Sequence, residues 1–170
     1  MTAIIKKRPD IHTISILVAN KPGVLVRCAQ VFARRGFNID ALVVSPSVNP
    51  TFSRMTITLQ GDPQTLGQII KQTQKLIDVI HCSEHTGIDS ITREFALIKV
   101  KSSSSNKSSI LKALKKHHAK VVDQTQNTLI IEQAGTSDEL DVFEEQIKKF
   151  GIIEMVRSGK LVMAKGREET

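Results

Sequence analysis

The chain has 170 residues, 40% of them hydrophobic, and a formal net charge of +7. That is length for one medium domain or two small ones, with enough apolar content for packed cores, which excludes a chain disordered throughout. No apolar run approaches the roughly 20 residues of a membrane span, and the stretch before Ile11 is too short for a typical targeting peptide. A soluble protein of the cytoplasm, with no membrane partner, is expected.

The surplus of positive charge would attract polyanions, but it is dispersed. Lys6, Lys7 and Arg8 fall in an N-terminal tail, Lys112, Lys115, Lys116 and Lys120 on one short helix and its exit, and the rest lie among acids. With no Trp, no Tyr and 4% aromatic residues, the chain lacks the stacking platforms of single-stranded nucleic acid binders. No nucleic-acid partner is expected.

Thr13–Val18 alternates as a half-buried strand, and Val24, Cys28, Val31, Phe32 and Arg35 recur at helical spacing until Gly36. Ile39–Val44 and Ser53–Leu59 are β-rich runs joined by the turn-forming segment Ser45–Pro50. Asp62 and Pro63 begin a second helix with the apolar stripe Leu66, Ile69, Ile70, Thr73 and Ile77, and Val79–Ser83 is a fourth strand. This order then repeats. Phe95–Val100 is a strand, Ser109–His118 a helix, and Val121–Gln124 and Leu129–Ala134 are strands around Gln126-Asn127. Ser137–Phe150 is a helix ended by Gly151, and Ile152–Val156 is the last strand.

The predicted fold class is α+β, with two tandem ferredoxin-like β-α-β-β-α-β units over residues 11–85 and 93–166. A linker is expected at His85–Thr92 and a flexible stretch at Ser102–Ser109. Cys28 and Cys82 fall on apolar faces and are expected as buried thiols without a disulfide.

The chemically informative stretch is Asn20-Lys-Pro-Gly23-Val-Leu-Val-Arg27, where the first strand gives way to the first helix. Helix N-termini leave backbone N–H groups unpaired and carry partial positive charge, so a carboxylate there gains hydrogen bonds and dipole attraction together. Gly23 admits a ligand close to the backbone, Asn20 could cap the turn or offer its amide, and Pro22 fixes one dihedral. An ordinary capped turn uses the same residues. At the same point the second unit has Ser102-Ser-Ser-Ser-Asn-Lys107, without glycine, which predicts one binding unit and one docking unit.

Catalytic chemistry has little support. The histidines are His12, His81, His85, His117 and His118, and none stands near a plausible nucleophile in a strand-turn-helix setting. His81-Cys82-x-x-His85 matches no common zinc spacing, and no glycine-rich phosphate loop occurs. No catalytic residue and no metal site are expected, and the polypeptide is not an enzyme by itself.

The run Asn20-x-x-Gly23-Val-Leu-x-Arg27, followed by Arg35-Gly-Phe-Asn-Ile39, Ser53-Arg-Met-Thr-Ile57 and Lys75-Leu-Ile-Asp-Val79, resembles the regulatory small subunit of acetohydroxyacid synthase, also called acetolactate synthase. The likeness continues through Val122-Asp123, Gly135-Thr-Ser-Asp138, Phe150-Gly-Ile152 and Glu154-Met-Val-Arg-Ser-Gly159. It implies an N-terminal ACT domain, the ferredoxin-like fold that binds amino acids, and a C-terminal domain of related topology. It further implies a homodimer through the ACT domains, which activates a separate catalytic subunit and confers feedback inhibition by valine. Thiamine diphosphate, magnesium and FAD would belong to that catalytic partner, with no cofactor on this chain.

By the same resemblance the effector sits between two ACT domains, where the turn Asn20–Gly23 of one chain faces Asn38 of the other. The implied effector-binding set is Asn20, Pro22, Gly23, Val24, Leu25, Asn38, Ile39, Val43 and Val44. Backbone N–H groups of Gly23, Val24 and Leu25 would take the carboxylate, since Pro22 has none, and Leu25, Val43 and Val44 would hold the branched side chain. Leucine and isoleucine are not separated from valine, because one methylene discriminates weakly. The Lys-Lys-His-His end of the third helix and Lys165-Gly166 depart from the family pattern, while Arg157 and Lys160–Lys165 are either docking residues or solvated surface. The compartment becomes the chloroplast stroma if the chain is plastid-encoded. Two rivals are a free-standing amino-acid-sensing ACT protein and a basic RNA-binding module of ferredoxin-like fold.

Overall fold

A computed structural model describes residues 11–85 and 87–170. The basic tail with Lys6, Lys7 and Arg8 lies outside the described residues. The first repeat is β1 (Ile11–Ala19), α1 (Val24–Ala33), β2 (Ile39–Pro46), β3 (Phe52–Gln60), α2 (Pro63–Thr73) and β4 (Val79–His85). Its four strands form an antiparallel sheet in the order β2-β3-β1-β4. Alternation along β1 and β3 puts Ile14, Ile16, Val18, Met55, Ile57 and Leu59 on one face, where they pack with Val24, Cys28 and Phe32 of α1 and Leu66 and Ile69 of α2. Each such large side chain removed from water contributes about 1.5–3 kcal/mol. The opposite face carries Thr13, Ser15, Thr56 and Thr58, buried but polar.

The second repeat is β5 (Ser90–Lys101), α3 (Lys107–Lys116), β6 (Lys120–Gln124), β7 (Thr128–Gly135), α4 (Ser137–Ile147), a short 3₁₀ turn (Lys148–Phe150) and β8 (Ile152–Arg157). Its sheet order is β6-β7-β5-β8, and a short strand, β9 (Leu161–Ala164), also pairs with β5. Ile98, Val100, Leu129 and Ile131 pack against Ile110 and Leu114 of α3 and Leu140, Phe143 and Ile147 of α4. The α+β class and the doubled β-α-β-β-α-β order are those predicted.

The two repeats share their irregularities. The ladder slips between Leu17 and Val18 in β1 and between Lys99 and Val100 in β5. It slips again between Ile39 and Ala41 in β2 and between Val121 and Asp123 in β6. Divided by contacts, the chain forms one unit ending at Ile91 that also takes in Val162–Thr170, and another over Thr92–Leu161. No helix among the described residues is long and apolar enough to cross a membrane.

Several boundaries differ from expectation. α2 stops at Thr73, where Lys75 N–H donates to Gln72 O and Leu76 N–H to Thr73 O, a tightened turn that changes the phase of the stripe. Leu76 therefore packs on the core, while Ile77 is 96% exposed. Much of the expected linker is strand, because β4 runs to His85 and the alternation of buried and exposed residues starts β5 at Ser90, with residues 87–89 in a turn. Ser102–Ser109 is not open coil: Asn106 Oδ1 accepts Ser103 N–H at 2.8 Å and α3 begins at Lys107. β9 was not foreseen.

Arg157 is held by two carboxylates of its own unit. Its Nε donates to Glu94 Oε1 at 3.2 Å and its Nη1 to Asp141 Oδ1 at 2.6 Å. Lys165, although exposed, donates from Nζ to Ile88 O at 2.9 Å. Burial pushes the Glu94 carboxyl up, but hydrogen bonds from Arg157 and Ser137 outweigh it and hold Glu94 below the ordinary carboxylate range. A depressed carboxylate stabilises the fold above its unfolded-state pKa, and that stabilisation is lost as pH falls through the folded-state value. Denaturant unfolding against pH should therefore show an acid-side loss that is smaller in Glu94→Gln. Arg157→Ala, which leaves the buried Glu94 without its ion-pair partner and with only the Ser137 hydrogen bond, should lose about 3 kcal/mol at neutral pH.

Candidate functional site

β1 delivers the chain to an anchored turn. Ala19 N–H donates to Asp78 O, and Asn20 N–H to Thr51 O, both at 2.8 Å, so the turn is tied to the head of β4 on one side and to the β2–β3 loop on the other. Asn20 Nδ2 donates to Pro50 O at 3.0 Å, so this side chain secures that loop and does not cap α1. The cap residue is Gly23, at φ 82° and ψ −11°, with no side-chain cap and no acidic residue in the first turn. Left-handed backbone at this point suits glycine. Val24 N–H turns back to Lys21 O at 3.4 Å, which corrects its expected part in taking a carboxylate, while the positive dipole end at the exposed start of α1 stays uncompensated by any side chain, which suits an anion.

Val24 is 2% exposed and its side chain belongs to the core, so only its backbone remains for a ligand. Leu25 stands 41% exposed beside it. Arg27, one turn along α1, donates from Nε and Nη2 to Asp78 Oδ2 at 2.9 and 2.6 Å. A β-carbon built on Gly23 would lie 3.1 Å from Arg27 Nη1. Sequence reasoning gave Arg27 and Asp78 no role, and only the pairing of β1 with β4 reveals that they meet.

β2 is an edge strand. Val43 pairs with Thr56 and Val44 with Met55, so the two valines point to opposite faces of the sheet. The expectation that both line one pocket is corrected: Val44, exposed, shares the helix face with Leu25, and Val43 lies on the polar face. Ile39 packs against the core. Asn38 precedes β2 and donates from Nδ2 to Asp40 Oδ1 at 3.2 Å. It lies at the far end of β2 from the Gly23 turn, about 25 Å away along the strand. One chain does not bring Asn20 and Asn38 together.

Residues 14–81 match the family model described as the AHAS small subunit-like ACT domain, and residues 93–166 match that of the small subunit of acetolactate synthase. The chain is 40% identical to a probable acetolactate synthase small subunit of Archaeoglobus fulgidus, over 93% of this chain and 99% of that one. It belongs to the acetolactate synthase small-subunit family. A second probable small subunit, from Methanothermobacter thermautotrophicus, is 41% identical over 96% of this chain and 98% of its own. The crystal structure of the acetolactate synthase small subunit from Thermotoga maritima superposes with a TM-score of 0.83 at 34% identity, covering 93% of this chain and 99% of that one.

In this small-subunit chain His12 and His85 serve the first sheet. His85 Nε2 lies 2.7 Å from Ser15 Oγ, and burial pushes the His85 pKa down. His12 sits between Glu84 Oε1 at 2.6 Å and Gly61 O at 3.0 Å. Strand alternation turns Cys82 into the core, away from His81 and His85, and burial pushes its thiol up to about 12, while Cys28 is also raised by burial. Both cysteines are free and buried. Among the described residues no three His, Cys, Asp or Glu side chains converge as metal ligands. A cavity of about 580 Å³ opens on the polar face, lined by Leu17, His81, Ser83, His85 and Thr170, and contains none of the expected effector residues.

The corresponding turn of the second unit is built differently. Its cap residue, Asn106, has φ −106° and turns its own side chain back onto Ser103. Replacing Gly23 by Ala should cost about 1–2 kcal/mol, because a side chain is forced into left-handed backbone, read as a lowered midpoint in thermal unfolding.

Proposed function

We propose that this chain is the non-catalytic regulatory subunit of acetohydroxyacid synthase, which activates the catalytic subunit and confers feedback inhibition by valine or a related branched-chain amino acid. Membership of the small-subunit family supports the role, and the observation that carries the effector site is the left-handed, uncapped Gly23 at the exposed start of α1. Backbone N–H groups of Gly23 and Leu25 take the effector carboxylate, because Val24 N–H donates to Lys21 O at 3.4 Å. Leu25 and Val44 offer apolar surface to its branched side chain, worth about 1.5–3 kcal/mol on burial.

The site is completed by a second copy. β2 is an edge strand whose outer side has no partner among the described residues, with Asn38 at one end and the Gly23 turn near the other. Antiparallel pairing of β2 with β2 of a second copy brings Asn38 of each chain toward the turn of the other. An effector held by both chains binds one arrangement of the pair better than another, and a coupling of about 1–3 kcal/mol then inhibits the catalytic partner at a distance. Thiamine diphosphate, magnesium and FAD reside on that partner, and the assembly works in the cytoplasm.

Calorimetric titration of valine into the purified chain tests this reading, beside Gly23→Asp, which sets a carboxylate where the effector's own would lie. The parent is expected to bind in the micromolar to millimolar range and the variant not to bind. Reconstituted with the catalytic subunit, the parent should raise activity and make it valine-sensitive, whereas Gly23→Asp should raise activity without the sensitivity. Valine binding that leaves the reconstituted activity unchanged would sink the mechanism.

A further inference from the structure

The effector reading so far rests on backbone donors alone, which hold a carboxylate without a balancing charge. Arg27 stands at that place. Asp78 takes its Nε and Nη2, leaving Nη1 outside the pair and turned toward Gly23, where a β-carbon would meet it at 3.1 Å. The anchor is itself fixed: Asp78 is 14% exposed at its side chain, and its carbonyl accepts Ala19 N–H from the end of β1. A guanidinium held through two of its nitrogens presents the third with little freedom left to lose, and a charged donor of this kind forms stronger hydrogen bonds than a neutral amide.

We propose that Arg27 is an effector-binding residue, whose Nη1 donates to the carboxylate seated at the Gly23 turn, and that Asp78 positions it. This rests on the proposed amino-acid site and adds its charged component. It also gives the missing side chain at residue 23 a second reason: any β-carbon there would crowd Nη1 as well as strain the backbone. A free amino acid satisfies the geometry, because the turn is open to solvent and its own carboxylate can reach Nη1 and the first α1 amides together.

The test is calorimetry of the full chain with valine, comparing the parent with Arg27→Gln and Arg27→Lys, with thermal unfolding measured on each. Arg27→Gln is expected to weaken valine binding by roughly tenfold or more. Arg27→Lys, which keeps the charge, should lose less. Affinity in Arg27→Gln within about twofold of the parent would overturn the assignment. Equal losses in both variants together with a common fall in melting temperature would also overturn it, by making the pair purely structural. If the parent itself binds no branched-chain amino acid, the effector reading fails and this inference falls with it, an outcome distinct from either of the others.

Discussion

The hydrogen bonding of β1 along both edges is the constraint on which the first unit depends. With β3 on one side and β4 on the other, this strand cannot slide without moving Ile14, Ile16 and Val18 out of the core. Its last two backbone donors go to Asp78 and Thr51, on different neighbours. The chain therefore leaves the sheet at a fixed place and direction, and the left-handed Gly23 has no latitude in where it aims the first N–H groups of α1. A binding turn on a rigid strand end loses little order when it takes a ligand.

The same scaffold occurs twice, with a different turn before its first helix. Matching ladder slips show that the repeats share a backbone plan, down to a left-handed residue after the first helix, Gly36 in one and His118 in the other. Only the first repeat puts glycine at the start of that helix. In the second, Asn106 closes the turn with its own side chain, and the surroundings are rich in serine and lysine.

Much of the fold was legible because its signals are local. Alternation in Thr13–Val18 and Ser53–Leu59, the Asp62-Pro63 cap and the steps between Leu140, Phe143 and Ile147 each report on neighbours within a few residues. What escaped was tertiary. Ile77 continued a helical stripe by spacing, yet a 3₁₀ turn handed its place to Leu76. Val43 and Val44 were adjacent apolar residues, and only strand register shows that they face opposite ways. Arg27 and Asp78, like Arg157 and Glu94, are far apart in sequence, and no local pattern pairs them. The turn itself was legible as a place, whereas the use of Asn20 to hold Pro50 was not.

The central claim is that the start of α1 is where an amino-acid effector's carboxylate is held. Backbone amide shifts of the isotopically labelled chain, followed during a valine titration, address it most directly. The account predicts the largest changes at Gly23, Val24 and Leu25, accompanied by Asn38 at the distant end of β2, because a second copy completes the site. Changes centred instead on His81, Ser83 and His85 along the polar face of the sheet, with the Gly23 turn unmoved, would contradict it.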